Sequence, residues 1–141
     1  MSSTSSIIKS AIDVLNIEIN GIKLIKKTFD KIFVDVIREL SKVKGRVIIS
    51  GIGKSGHIAN KIASTMSSTG TPAQFCHSNE MSHGDLGILS NKDVLIIISN
   101  SGSSSELKDI ILFSQKNKIK TIGISSNNES ELMRSVTYPL L

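Results

Sequence analysis

The hydrophobic positions along the chain follow two rhythms. Over residues 7–26, Ile8, Ile12, Leu15, Ile19, Ile22 and Ile25 recur at spacings of three and four, and Ile17 and Leu24 broaden the apolar face. That is the period of an amphipathic helix. Residues 29–43 repeat it with Phe29, Ile32, Phe33, Val36, Ile37 and Leu40. The pattern predicts a helical hairpin, or one long helix interrupted near Lys27–Thr28. At Gly45 the rhythm changes. Arg46-Val47-Ile48-Ile49-Ser50 is a short β-branched run that ends in Gly51-Ile52-Gly53-Lys54-Ser55-Gly56, with a helix expected over 56–68. This reads as a buried strand entering a polar turn. Further strands are predicted at Thr71–Cys76, Val94–Ser99 and Thr121–Ile124, and a fifth begins at Val136. Helices are expected over 104–117 and 129–134, with a turn at Asn127-Asn128.

Strand, turn and helix alternate through short connections, which predicts an α/β three-layer sandwich: a five-stranded, doubly wound parallel sheet with helices on both faces. The organisation divides into a helical segment, 1–44, and an α/β domain, 45–141. Sheets of this kind bind ligands at the carboxyl ends of their strands. Two of those ends, at 50–56 and 99–105, are rich in Gly and Ser.

The run Ser99-Asn100-Ser101-Gly102-Ser103-Ser104-Ser105-Glu106 leads into a helix. A helix N-terminus presents unpaired N–H groups at the positive end of its dipole. Gly102 permits a close approach of backbone to ligand. Serine hydroxyls turn to suit an oxyanion, so the run suits a phosphate without a fixed positive charge. An ordinary helix cap needs one such serine; six polar or Gly residues exceed that task. The turn at 51–56 fails the nucleotide P-loop spacing, since position 48 is Ile where Gly is required. It fits a dinucleotide Gly-x-Gly-x-x-Gly on paper, but no acidic residue lies between Lys61 and Asn79 to hold a ribose. It reads instead as a second polar turn, with Ser55 in reach of a phosphate and Lys54 in reach of a sugar oxygen. The segment His77-Ser78-Asn79-Glu80-Met81-Ser82-His83-Gly84-Asp85 overhangs the same side. Its histidines are general acid or base candidates; a short capped helix with solvent-facing histidines is the structural alternative. His77 with Glu80 or His83 offers two zinc ligands and no evident third.

Composition narrows the classes. Of 141 residues, 39% are hydrophobic and 21% charged, which fits a globular chain. Net charge is +5, but the lysines are scattered, aromatics are 4% and Trp is absent. That argues against nucleic acid as a partner. No apolar run reaches membrane-helix length, so no membrane partner is expected. The Ser-rich start lacks a secretory pattern, and the single Cys76 excludes an intrachain disulfide framework. A reducing cytoplasm is the expected location. The broad Ile and Phe stripe of 7–43 reads as packing, within the chain or against a second copy, and predicts a homo-oligomer.

Gly51-Ile-Gly-Lys-Ser-Gly-His57, Ser68-Thr-Gly-Thr-Pro72, Glu80-Met-Ser-His-Gly-Asp-Leu-Gly87 and Ile98-Ser-Asn-Ser-Gly-Ser-Ser-Ser-Glu-Leu107, in this order, resemble the sugar isomerase (SIS) domain family. The likeness spans about 7–141 and is nearest the arabinose 5-phosphate isomerase subgroup. It implies interconversion of D-ribulose 5-phosphate and D-arabinose 5-phosphate through an enediol, toward the lipopolysaccharide sugar Kdo. It implies phosphate binding by Ser55, Ser99, Ser101 and Ser104, with Asn100 in the same turn, and substrate contacts from Gly70 and Thr71. His77 matches a position that contacts substrate or an inhibitory zinc. Lys54, His83 and Glu106 match positions relevant to catalysis. On that reading Glu106 is the base, His83 assists ring opening or polarises the carbonyl, and Lys54 steadies the enediolate. No cofactor is required. Dimers or tetramers with sites near subunit boundaries are implied. The resemblance also implies that family chains continue past the position of Leu141, adding an acidic residue and a histidine to the site and often paired CBS domains. This sugar domain is then short at its C-terminus, and a silent sugar-phosphate-binding or regulatory module is the alternative to an active isomerase.

Overall fold

The computed structural model describes residues 4–141, so residues 1–3 of the expected 1–44 helical segment lie outside the described residues. The elements run α1 (Thr4–Ile25), a 3-10 turn (Lys26–Thr28), α2 (Lys31–Leu40), β1 (Val47–Gly51), α3 (Gly53–Ser68), β2 (Ala73–His77) and α4 (Ser78–Ser82). A second 3-10 turn (Asp85–Ile88), β3 (Val94–Ile98), α5 (Ser105–Lys116), β4 (Lys120–Ile124), α6 (Glu131–Ser135) and β5 (Tyr138–Leu140) complete the chain. The break expected near Lys27–Thr28 is the first 3-10 turn. Asp30 restarts the helix, its side chain accepting the Phe33 N–H at 3.1 Å.

Five strands pair in parallel in the order β2-β1-β3-β4-β5. In register, Val47 lies between Ala73 and Val94, Val94 faces Lys120, and Ile122 faces Tyr138. Strand alternation sends side chains to two cores. Ile48, Leu95 and Ile97 pack with Met81 of α4, Leu107 and Ile110 of α5 and Leu132 of α6. Val47, Ile49, Val94, Ile96 and Ile122 pack with Val36 of α2 and Ala59 and Ala63 of α3. Each Leu or Ile buried this way contributes about 1.5–3 kcal/mol. The central strands are apolar on both faces because both faces are covered, as parallel sheets require.

Most boundaries shift by one to three residues from expectation, β2 for example to Ala73–His77, and two of the shifts have a plain local cause. α3 starts at Gly53 rather than 56, because Gly53 takes φ +55° and the Gly56 N–H already reaches the Ile52 carbonyl at 3.2 Å. β5 starts at Tyr138 rather than Val136, because the Val136 N–H closes α6 on the Leu132 carbonyl at 3.1 Å.

At the amino ends of the strands, buried Asp93 accepts from the Arg46 N–H at 2.7 Å and from the Ser90 N–H and hydroxyl, each at 2.8 Å. Burial pushes this carboxyl up, but those donors together hold it below its ordinary range. Glu39 of α2 joins Lys120 of β4 at 2.9 Å and accepts from the Tyr138 hydroxyl of β5 at 3.1 Å.

The two N-terminal helices differ in burial. α2 rests on the sheet through Val36, whereas no residue of α1 is buried. Its Ile17 is 70% exposed, and its least exposed large apolar residue, Ile19, is still 46% exposed. Among the described residues, no helix is long and apolar enough to cross a membrane.

Candidate functional site

From β1 the chain crosses to β2 on one side; from β3 it crosses to β4 on the other. The connections therefore diverge above the β1–β3 pair, which leaves a crevice at their carboxyl ends. A cleft of about 340 Å³ lies there, between Ile52 and Ser55 on one wall and Ser99–Ser101, Ser104 and Glu106 on the other.

Local chemistry shapes both walls. Gly51 lets α3 leave β1 closely: a Cβ there would lie 2.9 Å from the Ser55 carbonyl carbon. Gly102 takes φ +66° and presses on α6, where a Cβ would stand 2.5 Å from that of Ser130. The Ser99 hydroxyl accepts the Gly102 N–H at 3.1 Å, which curls the loop and leaves the hydroxyl proton available. Ser104 is the N-cap residue of α5, yet its side chain makes no capping bond. The hydroxyls of Ser55, Ser101 and Ser104 likewise have no hydrogen-bond partner among the described residues. Three idle hydroxyls thus line one cleft with the first turn of α5, where the Leu107 N–H donates to the Ser104 carbonyl at 3.1 Å and the Ser105 and Glu106 N–H groups have no carbonyl partner among the described residues. Glu106 is the single ionisable residue of that lining and accepts from the Ser105 hydroxyl at 3.2 Å. Neutral donors and a helix dipole suit a phosphate, and a carboxylate beside it can move a proton.

The sequence-predicted residues separate into groups. Ser55, Ser99, Asn100, Ser101, Ser104 and Glu106 come together in the cleft. Asn100 also accepts from the Ser125 and Ser126 hydroxyls through its carbonyl and Oδ1, which fastens the loop while its Nδ2 donors stay without a partner among the described residues. Lys54 lies exposed on the first turn of α3, outside the cleft lining. His83 is the exposed C-cap of α4 and lines none of the cleft. Gly70 and Thr71 precede β2, at the amino ends of the strands. A five-residue strand, about 16 Å, separates them from the cleft, so one chain does not bring them to the same ligand.

His77 ends β2 and caps α4, its Nδ1 accepting the Asn79 N–H at 3.3 Å. It shares a separate cleft of about 190 Å³ with His57, Asn60 and Phe75. Among the described residues no group of three or more His, Cys, Asp or Glu is gathered so as to hold a metal ion. The capped short helix weighed for 77–85 is what forms. Its start is anchored by buried Ser50, which bonds the Cys76 carbonyl at 2.8 Å and the Ser78 hydroxyl at 2.9 Å.

Sequence reasoning missed Ser125, Ser126 and Ser130, which back the phosphate-type loop. The signal was available: Ser125-Ser126-Asn127-Asn128 follows a strand directly, at the same carboxyl edge as the other two loops.

Known proteins share this fold and much of this sequence. The family model described as SIS domain matches residues 39–140. Arabinose 5-phosphate isomerase KdsD of Francisella tularensis is 43% identical over 141 residues, covering 98% of this chain and 43% of that protein. The protein of the same name from Yersinia pestis is 43% identical over 127 residues, 90% of this chain and 39% of that protein. The chain thus spans less than half the length of these relatives. Among solved structures, Escherichia coli CFT073 c3406 in complex with arabinose 5-phosphate superposes with a TM-score of 0.86 at 32% identity, covering 99% of this chain and 74% of that one. Tagatose-6-phosphate ketose/aldose isomerase from Escherichia coli gives a TM-score of 0.66 at 20% identity, over 86% of this chain and 35% of that one, which speaks to the fold alone. With the family model covering all five strands and both serine-rich turns, the chain belongs to the SIS domain family.

Proposed function

We propose that the protein is an aldose–ketose isomerase of a pentose 5-phosphate, interconverting D-arabinose 5-phosphate and D-ribulose 5-phosphate. One observation carries the reading: three idle serine hydroxyls and a helix N-terminus converge in a switch-point cleft whose single ionisable group is Glu106. The names of the relatives and the sugar-phosphate complex of a similar structure support it.

The phosphate sits on Ser55, Ser99, Ser101, Ser104 and the first amides of α5. Its binding energy holds C1 and C2 near Glu106. Glu106 takes a proton from C1 of the ketose; the C–H electron pair forms the C1–C2 double bond while the C2 carbonyl pair moves onto O2, which is protonated to give the enediol. Loss of the O1 proton then makes the carbonyl at C1, and the Glu106 carboxyl, whose proton exchanges with solvent, protonates C2. Calorimetry with arabinose 5-phosphate tests the cradle. Replacing Ser101 and Ser104 by Ala removes two charge-assisted bonds, each worth about 1.5–3 kcal/mol. Affinity falls by at least tenfold per hydroxyl if the cradle is right, and stays put if it is wrong.

We also propose that the chain acts as a homo-oligomer. α1 carries ten Ile, Leu and Val side chains, each at least 46% exposed among the described residues. An exposed apolar surface of that extent marks a partner face. A second copy also offers a route for Gly70 and Thr71 to approach a cleft that their own chain keeps them from. Sedimentation at micromolar concentration yields a dimer or larger, and Ile12→Glu with Ile19→Glu yields monomer. A wild-type monomer contradicts the assembly.

A further inference from the structure

We propose that Ser125 and Ser126, on the loop between β4 and α6, are positioning residues of the phosphate cradle: their hydroxyls clamp Asn100 so that Ser99, Ser101 and Ser104 converge on one anion. The inference rests on the reading of the cleft as a sugar-phosphate site.

Asn100 stands between two cradle serines and is itself exposed, so no apolar packing fixes it. Hydrogen bonds do. Its carbonyl accepts from the Ser125 hydroxyl at 3.0 Å, the Ser126 hydroxyl at 2.9 Å and the Ser126 N–H at 3.3 Å. The Ser126 hydroxyl lies 3.0 Å from Asn100 Oδ1 as well, sharing its proton between the two oxygens. Ser125 is only 5% exposed. Its N–H reaches the Leu140 carbonyl at 3.2 Å, and its hydroxyl accepts the Asn127 N–H at 3.1 Å. Donor and acceptor are both used inside the protein, which makes Ser125 a strut and not a ligand group.

The flanks are fastened to the same segment. The Ser99 N–H donates to the Ile124 carbonyl at 3.0 Å, and the Leu132 N–H donates to the Gly102 carbonyl at 3.0 Å. The cradle loop is therefore tied at residue 99 to the end of β4, at 100 to the β4–α6 connection and at 102 to α6. Ser101 alone, between the ties, has no bond to that connection, and its hydroxyl lines the cleft. The shape of the loop is set from the β4 side, although its ligand groups continue into α5.

Without the clamp, the loop must be ordered by the ligand, and that cost appears in binding. Ground state and transition state use the phosphate equally, so KM rises and kcat holds. The test uses the whole protein, inorganic phosphate as the calorimetric probe, arabinose 5-phosphate turnover, and amide hydrogen exchange at Gly102. Ser126→Ala and Ser125→Ala each raise the phosphate Kd and the KM by about 3- to 10-fold, the range for one lost neutral hydrogen bond. Turnover at saturation stays within about twofold, Gly102 exchanges faster, and Ser126→Thr restores wild-type values. Ser126 is exposed, so its variant keeps the test open if the buried Ser125→Ala fails to fold. Phosphate binding that Ser101→Ala weakens but Ser126→Ala leaves intact overturns the clamp and spares the site. Weakened binding with unchanged Gly102 exchange makes Ser126 a direct ligand contact and overturns the positioning role. Wild-type protein that binds no phosphate overturns the site reading, and the clamp with it.

Discussion

Gly102→Ala is the sharpest probe of how the cradle is built. Gly102 holds φ +66°, a left-handed conformation that costs an L-residue about 1–2 kcal/mol. The new methyl would stand 2.5 Å from the Ser130 Cβ and nearer still to its hydroxyl. Forcing such a group into packed surroundings costs about 1–3 kcal/mol. Together the two terms predict a loss of about 2–5 kcal/mol, near 10 °C in Tm for a domain of this size. The terms separate in a double-mutant cycle. Ser130→Gly removes the clash but not the φ strain, and an N-cap changed from Ser to Gly costs only about a few tenths of a kcal/mol. Urea denaturation of the two single variants and the double variant measures the coupling. The double variant should regain about 1–3 kcal/mol relative to Gly102→Ala alone. Full stability in Gly102→Ala, or no relief from Ser130→Gly, would refute the reasoning.

Other expectations follow from the same geometry. Ser104→Ala should weaken phosphate binding yet leave Tm nearly unchanged, because the Ser104 hydroxyl does not cap α5; Ser130→Ala, which removes the acceptor of the Met133 N–H, should cost about 1 kcal/mol. Equal thermal losses in the two variants would contradict that contrast. Asp93→Asn should destabilise by about 1–3 kcal/mol at pH 7, since it removes a charged acceptor from the Arg46 and Ser90 donors. The folded carboxyl titrates below its unfolded value of about 3.9, so the unfolded state binds protons first as pH falls. The Asp93 contribution is complete above that value and is lost below it, so the gap between wild type and Asp93→Asn should close under acid. A gap constant from pH 7 to pH 2.5 would disprove the linkage.

How much of this is legible in the chain depends on the range of the interactions. β3 is readable because Val94–Ile98 is an unbroken β-branched and apolar run, and a strand buried on both faces needs nothing less. The cradle at 99–106 is readable because its serines, its glycine and its glutamate are contiguous. Contiguity places Asn100 in the same turn but hides its second task, which is to fasten the loop. Its partners, Ser125 and Ser126, lie 25 and 26 residues away and meet it only once β4 pairs with β3. The distance of Gly70 and Thr71 from the cleft is legible, since residues that lead into a parallel strand stand at its amino end; only the family resemblance draws them to the substrate. The helical period of α1 is plain, but period says only that a face is apolar. It does not say that α2 covers the sheet and leaves α1 uncovered.

The most direct test of the central claim is proton movement itself. Arabinose 5-phosphate incubated in D₂O with the protein should take up solvent deuterium and form ribulose 5-phosphate, both followed by NMR. Glu106→Gln keeps the shape and hydrogen-bonding capacity of the side chain but cannot accept the proton. It should lower both rates by about 100-fold while sugar-phosphate affinity changes less than about twofold. Sugar phosphate bound by the wild type with no isomerisation and no deuterium uptake, or unimpaired exchange in Glu106→Gln, would contradict the account.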